Sequence, residues 1–185
     1  MPVTVAVVIG SLRKNSLNRQ FAHALARSAH PTLDLRIVEI GDLPLYNQDL
    51  EAELPGPVRR FKDEIEAADA VLFVTPEFNR SFSAALKNAI EWGSRPWGRN
   101  SWAGKPGAIV GVTPGAVGTA AAQAQLRSVV GAVGVALTVH PEIYLSYRDG
   151  LIVDGEIADD KFRRLLNEWV AQFSAWIVRI KAPSA

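Results

Sequence analysis

The sequence predicts an α/β fold, a five-stranded parallel sheet with helices on both faces. Two observations predict it. Val3–Ile9 (VTVAVVI) is a short β-branched run with no polar alternation, as in a strand buried on both faces. After it, apolar runs of that kind alternate with stretches of helical spacing, which is how a parallel sheet covered on both sides reads.

The elements follow in order. Gly10 ends the first strand, and Leu17, Phe21, Ala24, Leu25 and Ser28 then recur at helical spacing. Residues 33–40 read as a second strand, 58–68 as a helix set off by prolines, and 70–74 as a third strand. Ser83 is placed to N-cap a helix over 84–92, with Gly93 as its stop. Residues 106–112 form the fourth strand, 119–130 a helix and 135–139 the fifth strand. A last helix carries the stripe Phe162, Leu165, Leu166, Trp169, Phe173, Trp176, Ile177 and Ile180, whose tryptophans read as core. Five strands suit the flavodoxin-like order 2-1-3-4-5 better than a six-stranded dinucleotide fold.

At 185 residues the chain suits a single domain over 1–185. A domain of that size buries roughly 70% of its unfolded surface, enough for a core without staples. A net charge of +1 favours neither nucleic acid nor an anionic membrane. No apolar run is long enough to span a bilayer and no basic leader precedes the first strand, so the expected location is cytoplasmic. Cysteine is absent, which excludes disulfides, thiolate catalysis and thiolate metal sites. The histidines (23, 30 and 140) lack ligand spacing, so no metal is expected.

Ligands of doubly wound sheets bind outside the carboxyl ends of the strands, so three loops are read together. The first, residues 10–18, lacks the G-x-G-x-x-G spacing of a dinucleotide site. It offers Ser11, Ser16, Asn15, Asn18 and the cation Arg13 just before a helix N-terminus, a setting that favours an anion. A phosphate monoester fits better than a diphosphate, because no second Gly admits backbone close to a pyrophosphate; the alternative is an ordinary polar cap. In the second loop, residues 75–81, Pro76 stiffens the turn, Phe78 offers a flat apolar face and Asn79 can both donate and accept. Those groups suit the edge of an isoalloxazine ring, the alternative being a strand-to-helix turn with incidental polar groups; Glu77 suits a fixed supporting carboxylate better than a base. In the third loop, residues 113–118, Gly115 and Gly118 let backbone approach a planar ligand.

Several local patterns are set aside. Gly111–Gly115 resembles a nucleophile elbow with Thr in place of Ser, but Pro114 has no N–H for the oxyanion hole. Residues 98–105 resemble a phosphate loop one residue too long, with Pro106 where Ser or Thr must follow. Asn79-Arg80-Ser81 is a chance glycosylation sequon.

Residues 10–18 (GSLRKNSLN), 43–49 (LPLYNQD), 75–79 (TPEFN), 86–92 (LKNAIEW) and 103–106 (AGKP) together resemble the NAD(P)H-dependent FMN reductases, which include bacterial quinone, chromate, azo-dye and ferric-chelate reductases. The resemblance implies FMN as cofactor, NADH or NADPH as cosubstrate and a ping-pong cycle. It implies the FMN phosphate at Ser11, Arg13, Ser16 and Asn18, and the ring against Pro76, Glu77, Phe78 and Asn79, with Thr113 and Gly115 closing the far side. It further implies a homodimer or tetramer with sites near the subunit boundary. Phe78 departs from the usual Tyr, and Ser83-Ala84 from a common Pro-Gly. The rival reading is a flavodoxin-type electron carrier, which usually presents an acidic docking surface; a phospho-receiver domain would need acids where this chain has Ile-Gly-Ser and Thr-Pro-Glu.

Two expectations concern association. Leu86, Ala89 and Ile90 on the third helix, with Trp97 and Trp102 beyond it, are expected in a subunit contact. Arg95, past the end of that helix, is expected to reach the neighbouring subunit's site and hold an anionic or flat acceptor, the alternative being an interface ion pair or a solvent-exposed Arg.

Overall fold

The computed structural model describes residues 2–138 and 140–182. Strands β1 (Val3–Ile9), β2 (Leu33–Val38), β3 (Ala70–Val74), β4 (Pro106–Thr113) and β5 (Ala136–Leu137) form a parallel sheet in the order β2-β1-β3-β4-β5, the flavodoxin-like order. Helices α1 (Leu17–Ala29) and α5 (Asp160–Lys181) cover one face, while α2 (Gly56–Ala67), α3 (Ala84–Ser94) and α4 (Ala120–Ala132) cover the other. Alternation along each strand divides the core: Val5, Val7 and Ile9 pack with Phe21, Trp169 and Phe173, whereas Ala6 and Val8 pack with Phe61, Trp92 and Trp102. Each fully buried Val, Leu, Ile or Phe of these layers contributes about 1.5–3 kcal/mol.

The fifth strand differs from its expected extent. Only Ala136 and Leu137 pair with β4, at Pro106 and Gly107, and Val139 lies outside the described residues. A separate strand, β6 (Ile143–Ser146), pairs with the upper half of β4 from Val110 to Thr113. Two segments thus share the edge position, and Pro141 between them has no N–H to offer a ladder. The short hairpin of β7 (Ile152–Val153) and β8 (Glu156–Ile157) follows. It turns through Asp154 and Gly155, both with positive φ, the conformation that an Asp-Gly pair prefers.

Gly93 does not stop α3, which runs on to Ser94. It lies under the indole of Trp102, where a Cβ would come within 2.3 Å of the ring. Trp102 is fully buried, donates to the Ile90 carbonyl at 2.9 Å and packs edge-on against Phe61. The loop that carries it is fastened by Lys62 of α2, whose buried ammonium donates to Gly93 O at 3.2 Å, Arg99 O at 2.7 Å and Ser101 Oγ at 2.7 Å. Burial pushes the Lys62 pKa below the usual lysine value. Among the described residues, no helix is long and apolar enough to cross a membrane.

Candidate functional site

Three loops meet at the carboxyl edge of β1, β3 and β4. After β1, the Gly10 N–H donates to Val74 O at 2.8 Å. A Cβ on Gly10 would lie 2.8 Å from Ser83 Oγ and 3.0 Å from Pro76 Cδ, so only glycine fits that approach. Ser83 joins the first two loops: its hydroxyl donates to Gly10 O at 2.6 Å and accepts from Leu86 N at 3.2 Å, capping α3 as expected.

Ser16 N-caps α1, its hydroxyl accepting from Arg19 N at 3.2 Å, and no acid stands in the first turn. The positive end of α1 is therefore uncompensated from within the helix. Arg13, Lys14 and Asn15 are exposed in the preceding loop, and neither cation forms an ion pair among the described residues. Arg19 differs, for both of its terminal nitrogens bind Glu39, at 2.7 and 2.8 Å. Ser11 and Asn18 are buried. The Asn18 amide donates to Val112 O at 2.9 Å and its oxygen accepts from Val112 N at 3.1 Å, so it stitches the N-terminus of α1 to β4.

In the second loop Pro76 is buried and Phe78 is 54% exposed. Phe78 and Ser81 exchange both backbone hydrogen bonds, each 2.9 Å, around Asn79 (φ 51°) and Arg80 (φ 65°). Two consecutive positive φ values make this a type I′ turn. Glu77 accepts from the backbone N–H of Ala122 at 3.1 Å and lies 3.5 Å from the Arg80 guanidinium. That contact supplies what α4 lacks, because Thr119 at its N-terminus has φ 77° and makes no side-chain cap. In the third loop Thr113 Oγ1 accepts from Gly115 N at 3.3 Å, and Ser146 Oγ donates to Gly115 O at 2.7 Å. A cleft of about 350 Å³ opens between the second and third loops, lined by Glu77, Asn79, Arg80, Thr113, Gly115 and Val117.

The expected residues therefore separate into two groups. Ser11, Arg13, Asn15 and Ser16 gather at the N-terminus of α1; Pro76, Glu77, Phe78, Asn79, Thr113 and Gly115 gather around or beside the cleft. Sequence reasoning overlooked Lys14, legible as the neighbour of Arg13, and Ser146, which sits on the unforeseen β6. Arg95 ends α3, a rise of about 16 Å for its 11 residues from the edge where the helix starts, and is absent from the cleft lining. The surface proposed for association is corrected: Leu86, Ala89, Ile90 and Trp102 are buried in their own core, and Trp97, 88% exposed, is the outward residue of that group. The apolar stripe of α3 is consumed by packing against the sheet.

The chemistry of this edge agrees with FMN. Two cations without an ion pair among the described residues and a hydroxyl-capped helix end suit a phosphate dianion, and an open cleft beside an exposed aromatic suits a flat ring. The model of a family described as NADPH-dependent FMN reductase matches residues 3–149. The chain is 50% identical over 175 residues to a quinone reductase of Pseudomonas putida, covering 94% of each. It is 45% identical over 178 residues to a 2-hydroxy-1,4-benzoquinone reductase of a Burkholderia species, covering 96% of this chain and 97% of the other. Among solved structures it superposes with a TM-score of 0.93 and 44% identity on FerB, a flavoenzyme NAD(P)H:(acceptor) oxidoreductase from Paracoccus denitrificans, covering 96% of this chain and 98% of that one. The chain belongs to the NADPH-dependent FMN reductase family, an oxidoreductase with FMN as cofactor and a reduced nicotinamide as cosubstrate.

Proposed function

We propose that this protein, as one cytoplasmic domain, passes a hydride from NADH or NADPH through FMN to quinones in a ping-pong cycle. Chromate, azo compounds and ferric chelates are further acceptors of the same open cleft. The observation that carries this reading is the convergence of a cationic helix end with a shallow cleft at one edge of the sheet. FMN, when bound, supplies the chemistry of accepting a hydride and releasing two electrons to a second molecule. The chain's residues bind and orient. Arg13, Ser11, Asn15 and Ser16 hold the phosphate, and Asn18 keeps that loop against β4. Pro76, Glu77, Phe78, Asn79, Thr113 and Gly115 frame the ring. Glu77, engaged with Ala122 and Arg80, supports the second loop as a fixed carboxylate, and the overall reaction balances as NAD(P)H + H⁺ + quinone → NAD(P)⁺ + hydroquinone.

In such a cycle nicotinamide and quinone take turns at the same open cleft. Initial rates with both substrates varied are expected to give parallel double-reciprocal lines; intersecting lines would refute the cycle.

The active form is a homodimer, or a tetramer built from it, with Arg95 of one copy serving the other's cleft. Trp97 is almost fully exposed next to it, and an aromatic beside an Arg is typical of interface centres. Light scattering is expected to give at least twice the 20.1 kDa chain mass. Arg95→Ala is expected to keep its flavin and its oligomer while the Michaelis constant for a quinone rises severalfold. A monomer, or kinetics untouched by the substitution, would contradict this assignment.

A further inference from the structure

The turn at residues 78–81 carries an unusual conformational burden. Asn tolerates a left-handed backbone, but an Arg at φ 65° does so against its Cβ. Type I′ turns place Gly at that second position by preference. Its reciprocal backbone bonds are those of any two-residue hairpin, and no strands extend from it: Phe78 and Ser81 form an isolated bridge. Something outside the turn must hold it.

The neighbour that does so is Gln125 on α4. Its amide nitrogen donates to the Arg80 carbonyl at 2.8 Å, and its amide oxygen accepts from Ser81 Oγ at 2.8 Å. One side chain thus takes both residues at the far end of the turn. Ala122, three positions earlier and so on the same face of α4, takes Glu77 at the near end. The cleft wall formed by Glu77, Asn79 and Arg80 is therefore anchored to α4 at both ends.

We propose that Gln125 is a positioning residue for the flavin site, locking the 78–81 turn in its left-handed conformation so that Phe78 and Asn79 face the ring. Gln125 lines no part of the cleft and acts only through the turn. This rests on the reading that the turn borders FMN.

The test uses FMN-loaded protein, amide exchange at Phe78 and Ser81 by NMR, and FMN affinity from the fluorescence released on dilution. In Gln125→Ala, both amides are expected to exchange faster and the FMN dissociation constant to rise about fivefold, as the loss of one net hydrogen bond would give. Adding Arg80→Gly relieves the backbone conflict, so the double variant is expected to recover amide protection. A Gln125 that merely packs on α4 would not be rescued by glycine at position 80. Unchanged exchange in Gln125→Ala overturns the lock. Faster exchange with unaltered FMN affinity overturns the proposal differently, by removing the turn from the flavin site. Removal of FMN from the unsubstituted protein separates the two failures: if the amide signals of residues 77–79 do not move, the placement of the ring is wrong.

Discussion

Gly111→Ala is expected to cost about 3 kcal/mol of stability, near the upper end for overpacking, and to weaken FMN binding at the same time. Gly111 stands in the upper half of β4, paired with Tyr144 of β6. A Cβ there would lie 2.3 Å from the Thr75 carbonyl oxygen and 2.5 Å from Thr119 Oγ1. Neither obstacle can swing aside. The first is backbone at the end of β3, and the second belongs to a fully buried Thr whose Oγ1 accepts from Gln123. Relief requires β3 and β4 to separate where Thr75 leads into Pro76, or α4 to retreat from the sheet. Either movement displaces the second loop, so stability and flavin affinity fall together. Chemical denaturation with FMN titration on one preparation checks this. Gly131→Ala is the control: it lies in α4 with open space around its Cβ position and is expected to gain up to about 1 kcal/mol. Wild-type stability in Gly111→Ala would contradict the packing described for this edge.

Arg13→Ala is expected to raise the FMN dissociation constant about tenfold, equivalent to about 1.4 kcal/mol. Arg13 makes no ion pair among the described residues and precedes the capped end of α1, so its charge is free for a phosphate. The affinity of the variant is expected to depend less on salt, because one screened attraction has been removed. Arg19→Ala provides the contrast. Arg19 is held by Glu39 through two hydrogen bonds, and its loss is expected to leave FMN affinity near the wild-type value. Equal affinities for Arg13→Ala and the parent protein would move the phosphate away from this loop.

The sheet was legible because its strands are apolar on both faces and its helices carry one buried stripe each. Patterns that report burial say nothing of what buries a residue, and the misreadings share that cause. Leu86, Ala89 and Ile90 look equally suited to a partner or to a sheet, and the sheet takes them. Trp102 in a Gly- and Arg-rich loop reads as a subunit-contact residue; the buried ammonium of Lys62, 40 positions away in sequence, folds that loop back so that the indole covers Gly93. Gly93 reads as a helix stop for the same reason, since its need for a small residue comes from Trp102. The edge of the sheet reads as one strand because the apolar run continues to residue 139; Pro141 and the second half of β4 divide the position between two segments. Val-Asp-Gly-Glu at 153–156 is a strong hairpin signal, and β7–β8 lies there.

The candidate site is legible in the sequence at the level of loops rather than of individual atoms. Residues 10–18, 75–81 and 113–118 do come together, because strand order alone places their ends side by side. The partners of each side chain did not follow from the sequence. Asn18 stitches α1 to β4, Glu77 caps a helix 45 residues downstream, and Ser83 ties the first loop to the second. Gln125 carried no signal at all, since an exposed Gln on a helix is unremarkable until the turn it grips is seen.

Anaerobic rapid mixing tests the central claim most directly. FMN-loaded protein is mixed with NADPH alone, and a quinone is added afterwards. The visible flavin band is expected to bleach in the first step and return in the second, each at least as fast as steady-state turnover, with one hydroquinone formed per flavin. A bound flavin that NADPH leaves oxidised while quinone turnover continues would place the chemistry elsewhere and contradict the account.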